Sequence, residues 1–452
     1  MSIGSGRRPP ALGLVALLAT VPGVAVSLGG LHLMPPVAAL LFGISIVGAA
    51  FLLAWAAEAA QLDVSAGLAV AVLALIAVLP EYAVDFVFTA RGGEAVAAHG
   101  PSCRAPGEET SACSLALANM TGANRILVGV GWALVVLIAW RRMRRRGVSQ
   151  ARANSVALNR ADAVPIVFLA LASVYCLVLP FKRTLSLADT VVLLAIFVAY
   201  SWRISRAPAG EPDLIGPSAW IGSLDKRVRR TVVIGLFVAA AAVILLTAEH
   251  FAQSLVDTGA DLGINEFLLV QWLAPLASEA PELLVAGLYA WRLHTSEALG
   301  ALVSSKVNQW TLLVGTLPIV FAASSGGWSG LPIESAQRDE LLLTASQSLL
   351  AVSLLVGLSL SVRAALLLTG LFFLQFALSA AVPSSWRGRE LIALSVVYLV
   401  LAAVVLFRRR RLILPIVRDG LFTPYRSLGD DMCCTTAAGK LRLRERVLIR
   451  SE

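Results

Sequence analysis

Residues 273–315 read LAPLASEAPELLVAGLYAWRLHTSEALGALVSSKVNQWTLLVG and predict two apolar helices joined by a turn near His294. The first helix contains Glu279 and Glu282. The second helix carries five polar side chains, those of Ser304, Ser305, Lys306, Asn308 and Gln309. Ionisable groups are costly inside a membrane and usually line a cavity or an ion pathway there. Pro281 also removes a backbone hydrogen bond just before Glu282, and a broken helix at mid-membrane depth is typical of transporter ion sites.

The composition indicates that the whole chain is embedded in a membrane. Of its 452 residues, 58% are hydrophobic and 14% are charged, whereas soluble domains carry about 25% charged residues. Apolar runs of about 20 residues, long enough to cross a bilayer as a helix, recur from end to end. We therefore predict an all-α polytopic membrane protein with about twelve spans. They lie near 11–30, 37–60, 64–90, 114–140, 162–180, 187–204, 231–256, 264–291, 297–322, 339–361, 363–382 and 389–407.

The basic residues orient these spans. The net charge is +9, and most of it lies in clusters beside apolar runs, within 141–146, 226–230 and 408–411. With an even number of spans the clusters fall on one side, which the positive-inside rule assigns to the cytoplasm. We expect a protein of the plasma (inner) membrane with both termini cytoplasmic. Clusters of this kind do not indicate a nucleic-acid partner.

The cysteines and histidines give no sign of a metal cofactor or of catalysis. There are five cysteines, without a CxxC pair, and only four histidines, so neither a zinc site nor a hydrolase is expected. Cys103 and Cys113 share the loop 91–113, where they form either a disulfide or two free thiols. The phosphate-binding pattern GxxxxGK[ST] is absent, so ATP is not implied.

The spans predict a chain organised in two halves between terminal additions. Arg7 and Arg8 precede the first apolar run, which is either a retained helix or a signal peptide, and the poor cleavage site favours the helix. The predicted segments are an extra N-terminal helix (1–36), a first repeat half (37–204), a cytoplasmic connector (205–230), a second repeat half (231–382), an extra C-terminal helix (383–411) and a poorly ordered basic cytoplasmic tail (412–452).

The two halves repeat one pattern. The first contains LIAVLPEYAVDFVFTARGG and then SLALANMTGANRILVGVG, and the second contains the stretch quoted above. Each is a Pro-Glu helix followed by a helix with small and amide residues. Five spans lead from one Pro-Glu helix to the other, so the two have opposite orientations in the membrane. This predicts an inverted-topology repeat of about five helices per half, an architecture common among secondary transporters.

These pairs resemble the two α-repeats of the sodium/calcium exchanger superfamily, whose pattern is G-T-S-x-P-E followed by G-N-x-x-G-S-N-x-x-N. The Pro-Glu pairs match at 80–81 and 281–282. In the second motif, the matching residues are Asn119, Gly122 and Asn124 in the first repeat and Gly300 and Ser305 in the second.

The resemblance implies that Glu81 and Glu282 face each other at mid-membrane and act as the metal ligands of a transported cation. A hard cation such as Ca²⁺ prefers carboxylate, hydroxyl and amide oxygens, and helical spacing places Asp85 on the same face as Glu81. The other residues expected to bind the cation are Ser278, Glu279, Ser305, Gln309, Asp85 and Asn119.

The sequence also departs from the family pattern. The slots of four oxygen ligands hold Ala77, Val78, Ala123 and Leu127. Lys306 occupies the slot of the Asn in Gly-Ser-Asn, where its ammonium group could compete with a cation, compensate carboxylate charge or take part in coupling to H⁺.

Each of these residues also has a purely structural interpretation. Glu81 and Glu282 could be salt-bridge partners, Glu279 could pair with Lys306, and Asp85 could pair with a neighbouring helix. Ser304, Asn308 and Asn124 resemble interhelical hydrogen-bonding residues, and Glu58 is either a gate residue or a helix-end residue.

The function that the sequence favours is that of a non-enzymatic cation antiporter. It would move Ca²⁺ or Na⁺ in exchange for Na⁺ or H⁺ by alternating access. We expect a monomeric transport unit in the lipid bilayer, with inorganic cations and H⁺ as its ligands and no cofactor. The alternative is a transport-incompetent scaffold or partner subunit of the same fold, which the lost ligand positions and Lys306 favour.

Overall fold

The computed structural model describes residues 11–31, 33–63, 79–100, 103, 111–149, 153–207, 214, 216–263, 266–381, 386–425, 427 and 428, with only the backbone at 79, 80, 266, 267, 380 and 381. These residues form a helical bundle. Its helices are α1 (Ala11–Gly29), α2 (Pro35–Ala60), α3 (Leu79–His99), α4 (Ala112–Arg145), α5 (Ala163–Cys176), α6 (Leu187–Ile204), α7 (Pro217–Gly222), α8 (Lys226–Leu262), α9 (Glu266–Arg292), α10 (Thr295–Ser325), α11 (Ser335–Leu355), α12 (Val362–Ala381), α13 (Arg387–Arg408) and α14 (Arg410–Leu421).

The predicted all-α polytopic fold is confirmed. Among the described residues, nine helices are long and apolar enough to cross a membrane. Three further long helices, α3, α9 and α11, complete the twelve predicted spans, and these three carry more polar and charged residues. The spans that are least like a membrane helix therefore hold the polar interior of the bundle.

Several helix boundaries differ from the predicted spans. Helix α3 continues to His99 and ends at Gly100, whose φ is +80°, so part of the predicted loop 91–113 is helical. Helix α8 begins at the basic cluster and ends at Leu262, directly before Gly263, whose φ is +62°. Helix α11 ends at Leu355. The predictions followed hydropathy, but backbone hydrogen bonds extend a helix until a left-handed residue or a turn stops it.

Four short strands close the two ends of the bundle. Strand β1 (Ser155–Ala157) pairs antiparallel with β4 (Ser359–Ser361), and β2 (Thr184–Leu185) pairs with β3 (Leu331–Pro332). The β1–β4 pair lies at the end that carries the clusters 141–146, 226–230 and 408–411, which we call the basic end. There Arg229 also pairs with Asp63, at 2.7 Å between Nε and Oδ2.

The opposite end holds the predicted cysteine pair. Cys103 and Cys113 are joined in a disulfide, with their Cα atoms 5.8 Å apart. The Cα and Sγ atoms of Cys113 lie close to Gly92, where an added Cβ would be 3.3 Å from both of them. The disulfide thus joins Cys103, which follows α3, to the first turn of α4, beside Gly92 of α3.

Helix α1 packs tightly against α2. Ser45 Oγ donates to the carbonyl of Ala19 (3.0 Å) and accepts from the N–H of Gly23 (2.8 Å). A Cβ on Gly48 would lie 2.6 Å from the carbonyl oxygen of Ala16, so the backbones of the two helices approach closely there.

The prediction of a poorly ordered tail from residue 412 is wrong for its first part. Residues 410–421 form α14, which packs on α5, and Gly420 allows this close packing because a Cβ there would be 2.9 Å from the carbonyl oxygen of Ala163. The low hydrophobicity of this segment reflects its amphipathic character. Residues 429–452, with Cys433 and Cys434, lie outside the described residues.

Candidate functional site

Helices α3 and α4 form the first half of the site. Glu81 and Asp85 lie one turn apart on α3, and both are almost completely buried, with exposed fractions of 1% and 0%. Asn119 on α4 donates its amide to Asp85 Oδ1 at 2.8 Å. Both carboxylate oxygens of Glu81, and Oδ2 of Asp85, have no hydrogen-bond partner among the described residues. Three buried carboxylate oxygens are therefore free to bind a ligand.

Helices α9 and α10 form the second half. Gln309 donates its side-chain amide to Glu279, and the Ser305 hydroxyl lies close enough to Glu282 to interact with its carboxylate. Ser278 is also buried, but its hydroxyl donates to the carbonyls of Ala274 and Pro275 in its own helix. Five predicted ligand residues thus lie on two packed helices. Ser278 differs from the other four because its hydroxyl donates to backbone carbonyls of its own helix, α9.

The two halves meet in the middle of the bundle. Glu81 interacts electrostatically with Glu282 and Asp85, and Glu279 interacts with both Glu81 and Glu282. Close carboxylates repel one another when ionised, so the arrangement favours a bound cation or bound protons. Across the described residues, no three His, Cys, Asp or Glu side chains form a ready-made metal cluster. The carboxylates share one region without converging on a single point.

A cavity of about 380 Å³ leads from the basic end to Glu282. At its inner end it is lined by Glu282, Ser305 and Asn308. Its outer part is lined by the end of α2 and by α6, including Glu58, Gln61, Tyr200 and Ser201. Glu58 accepts a hydrogen bond from Ser218 of α7 (2.5 Å), so this carboxylate fixes α7 beside the entrance.

Lys306 is fully buried and is held by the first repeat. Its ammonium group donates to the backbone carbonyl of Asn124 (2.6 Å) and to the side-chain oxygen of the same residue (3.2 Å). Glu279 interacts with it electrostatically but receives its hydrogen bond from Gln309. The lysine therefore lies behind the carboxylates, on the side of α4.

Helices α4 and α10 share a feature that the sequence prediction missed. Each contains a π-helical segment, at Leu127–Trp132 in α4 and at Gln309–Leu313 in α10. Both segments begin at the last slot of the family motif, which Leu127 and Gln309 occupy. π-Segments inside α-helices frequently mark functional sites, and here they follow directly after the site residues in both repeats. In the sequence, the only indication of these π-helical segments was that Leu127 and Gln309 occupy equivalent slots of the motif.

The sequence analysis also did not predict a buried ion pair. Arg125 of α4 and Glu340 of α11 form an ion pair at 2.8 Å, with exposed side-chain fractions of 1% and 8%. The guanidinium of Arg125 also lies over the ring of Trp272, 5.2 Å from its centroid. An arginine inside an apolar run was the only sequence signal, and it does not identify a partner 215 positions away.

The sequence profile of the sodium/calcium exchanger proteins matches residues 34–205 and 232–409. The chain belongs to the sodium/calcium exchanger family. This confirms the resemblance drawn from the two Pro-Glu motifs. A search of curated proteins finds no match.

The solved structures similar to this chain include those of CAX and YfkE. The crystal structure of the H⁺/Ca²⁺ exchanger CAX has 37% sequence identity and a TM-score of 0.80, and the match covers 90% of this chain and 96% of CAX. The structure of native YfkE has 14% identity and a TM-score of 0.56, over 86% of this chain and 100% of YfkE, and supports the fold alone. The fold is thus that of a membrane cation exchanger, whereas the ligand roles of the individual residues remain predictions.

Proposed function

We propose that this protein is a secondary antiporter that moves Ca²⁺ across the membrane in exchange for H⁺. The observation that carries the proposal is the pairing of Glu81 with Glu282 at the junction of the two repeats. Glu81 is buried with both carboxylate oxygens unpartnered, while Glu282 lines a cavity that opens at the basic end. Similarity to the H⁺/Ca²⁺ exchanger CAX supports the choice of ions.

In this proposal the cation binds between the two glutamates. Ca²⁺ takes about six to eight oxygen ligands, and the two carboxylates supply up to four. Further oxygens within the same region come from the side chains of Asp85, Asn119, Ser278, Glu279, Ser305 and Gln309.

Exchange follows from competition for the same oxygens. A carboxylate that carries a proton is a poor ligand for Ca²⁺, and a carboxylate that binds Ca²⁺ does not take up a proton. Two protonated glutamates carry the same net charge as two ionised glutamates with one Ca²⁺. The proton-loaded and the Ca²⁺-loaded site therefore have the same net charge. Lys306 lies behind the carboxylates and interacts with Glu279.

Transport by alternating access would use the two repeats as the moving parts. A cavity joins the site to the basic end, and in this proposal it is the access path of the conformation open on that side. The inverted repeat supplies the complementary conformation, open to the opposite end. By the positive-inside rule the basic end is cytoplasmic in this proposal. We further propose that the membrane is the plasma (inner) membrane and that both termini lie on the cytoplasmic side. The transport unit is a monomer in this proposal.

The test is transport in proteoliposomes with wild-type protein and Glu282→Gln. ⁴⁵Ca²⁺ uptake is measured with an outward H⁺ gradient, and the internal pH is followed at the same time. We expect Ca²⁺ uptake with matching proton efflux, and loss of both in Glu282→Gln. The matched control is Glu249→Gln, an exposed glutamate at the opposite end that pairs with Arg91 at 3.6 Å; it should transport normally.

Two other outcomes would overturn the proposal. Uptake that follows an outward Na⁺ gradient and leaves the internal pH unchanged would indicate sodium/calcium exchange. Absence of transport under every gradient, from protein with a normal cooperative unfolding transition, would favour the scaffold.

A further inference from the structure

Helix α14 is fixed to the basic end of the bundle at both of its ends. Just before the helix, Arg409 donates to the carbonyl of Leu354 at 2.7 Å, where α11 ends. Near its end, Asp419 accepts two bonds from the guanidinium of Arg160, at 2.7 and 3.0 Å. The helix therefore lies across the ends of α11 and α5, at the basic end of the bundle.

The segment that follows α14 is bound to α6. Arg203 donates to the carbonyls of Gly420 (3.1 Å) and Thr423, and its guanidinium lies 5.0 Å from the ring centroid of Tyr425. Arg203 is one turn from Tyr200, which lines the cavity leading to Glu282. The position of α14 is thus linked to the wall of that cavity.

The outer face of α14 combines arginines with large apolar side chains. With about 3.6 residues per turn, residues spaced i, i+3, i+7 and i+11 form one stripe. On α14 this stripe consists of Arg411, Leu414, Arg418 and, directly after the helix, Phe422. Leu414 and Phe422 are 77% and 76% exposed, whereas Ile416 and Gly420 on the inner face are buried.

Neither water nor the bilayer core is a favourable solvent for all the side chains of this stripe. Exposed leucine and phenylalanine side chains gain by leaving water, while the guanidinium groups must remain hydrated or paired. An amphipathic helix with apolar and basic residues satisfies both needs when it lies in the headgroup region of a membrane. Helix α14 begins two residues after the end of α13, a predicted membrane span, and Phe407 on the last turn of α13 adds a further exposed apolar side chain beside it, at 69% exposure.

The charges on α14 indicate that its lipid ligand is anionic. Arg410, Arg411 and Arg418 all lie on the helix, and its one carboxylate, Asp419, is already paired with Arg160. Within the described part of the chain, the ion pairs leave Arg410 and Arg411 unpaired. We infer that α14 is a binding surface for anionic phospholipid headgroups, with Leu414 and Phe422 inserted among the acyl chains.

The inference is tested with purified full-length protein in a zwitterionic detergent. Thermal unfolding is recorded with added dioctanoyl phosphatidylglycerol, with dioctanoyl phosphatidylcholine and with inorganic phosphate. A ligand that binds only the folded state raises Tm, and the rise grows with the logarithm of the ligand concentration divided by Kd. We expect phosphatidylglycerol alone to raise Tm of the wild type. Each arginine near an anionic lipid strengthens binding roughly fivefold, so the double variant Arg411→Ala/Arg418→Ala should bind about 25-fold more weakly.

The matched control is the double variant Arg145→Ala/Arg146→Ala, which removes two exposed arginines at the same end but not from α14. It should respond to phosphatidylglycerol like the wild type. Equal stabilisation by both lipids would overturn the inference, as would equal losses in the two double variants. Stabilisation by inorganic phosphate alone would also overturn it, because it would indicate a free-anion site.

A second measurement does not depend on the arginine variants. A fluorophore is attached to Leu414→Cys in a Cys433→Ser/Cys434→Ser background, and the protein is reconstituted in mixed vesicles. We expect nitroxide-labelled phosphatidylglycerol to quench this fluorophore more strongly than nitroxide-labelled phosphatidylcholine. A label at Arg146→Cys should show no such preference. Equal quenching by the two lipids at position 414 would contradict the inference.

Discussion

Lys306 and Asn124 occupy the same slot in the two repeated motifs, and they bond to each other at the junction of the repeats. The ammonium group of Lys306 donates to both the carbonyl and the side-chain oxygen of Asn124. In the family pattern both slots hold asparagine, whereas in this chain one slot holds a lysine that bonds to the asparagine in the other. The positive charge is thereby fixed on the side of the site away from the cavity.

Replacing Lys306 by Asn should strengthen Ca²⁺ binding. The substitution restores the family residue and removes a buried positive charge near Glu279. Relief of about 1.4 kcal/mol of repulsion would raise the apparent Ca²⁺ affinity roughly tenfold. The measurement is the half-saturating Ca²⁺ concentration for uptake in proteoliposomes, together with the ratio of H⁺ to Ca²⁺ moved.

The control for that substitution is Lys182→Asn. Lys182 pairs with Asp189 at 2.5 Å, remote from the site, and its loss should leave the Ca²⁺ affinity unchanged. If Lys306→Asn changes the thermal stability but neither affinity nor ion ratio, the lysine has only a structural role.

Asp85→Asn and Asp85→Ala should separate a ligand role from a structural one. Asparagine can keep the contact with Asn119, so we expect little change in Tm but a Ca²⁺ affinity lower by roughly tenfold, because one carboxylate is lost. Alanine also leaves the amide of Asn119 unpaired in the interior, which costs about 1–3 kcal/mol of stability. Equal Ca²⁺ affinity in wild type and Asp85→Asn would show that Asp85 only positions Asn119.

The sequence predicted the parts of the site that depend on local pattern. A proline directly before a glutamate, found twice in apolar runs, singled out Glu81 and Glu282, and motif spacing singled out Ser305 and Gln309. The structure brings these residues into one region, and their role as ligands stays a prediction. The pairing of Arg125 with Glu340 was not predictable, because the partners meet only through packing of α4 against α11. Likewise, hydropathy did not predict that α14 is a helix, because a short amphipathic helix has too few apolar residues to be recognised as a membrane span.

Breaking the ion pair between Arg125 and Glu340 should destabilise the protein strongly. Glu340→Gln leaves the buried guanidinium of Arg125 without its counter-charge, which costs about 3–5 kcal/mol. The double variant Arg125→Met/Glu340→Gln should recover part of this loss, because no buried charge then remains unpaired. Thermal unfolding of the wild type, both single variants and the double variant forms a double-mutant cycle. Additive losses around the cycle would show that the two residues contribute independently.

The ion pair of Asp63 with Arg229 should make stability depend on pH at the acidic end. The hydrogen bonds and charge of Arg229, with Arg230 beside it, hold the pKa of Asp63 below its ordinary value. Because the folded-state pKa is the lower one, the stabilisation is complete above the unfolded-state pKa of about 3.9 and disappears as the pH falls through the folded-state value. Asp63→Asn should therefore lower Tm at pH 6, and its difference from the wild type should shrink as the pH approaches 2. Asp261→Asn, at an exposed position near the end of α8, serves as the control and should follow the wild type throughout. A constant difference between wild type and Asp63→Asn across this range would show that the Asp63 side chain contributes through packing, and that its charge does not stabilise the fold.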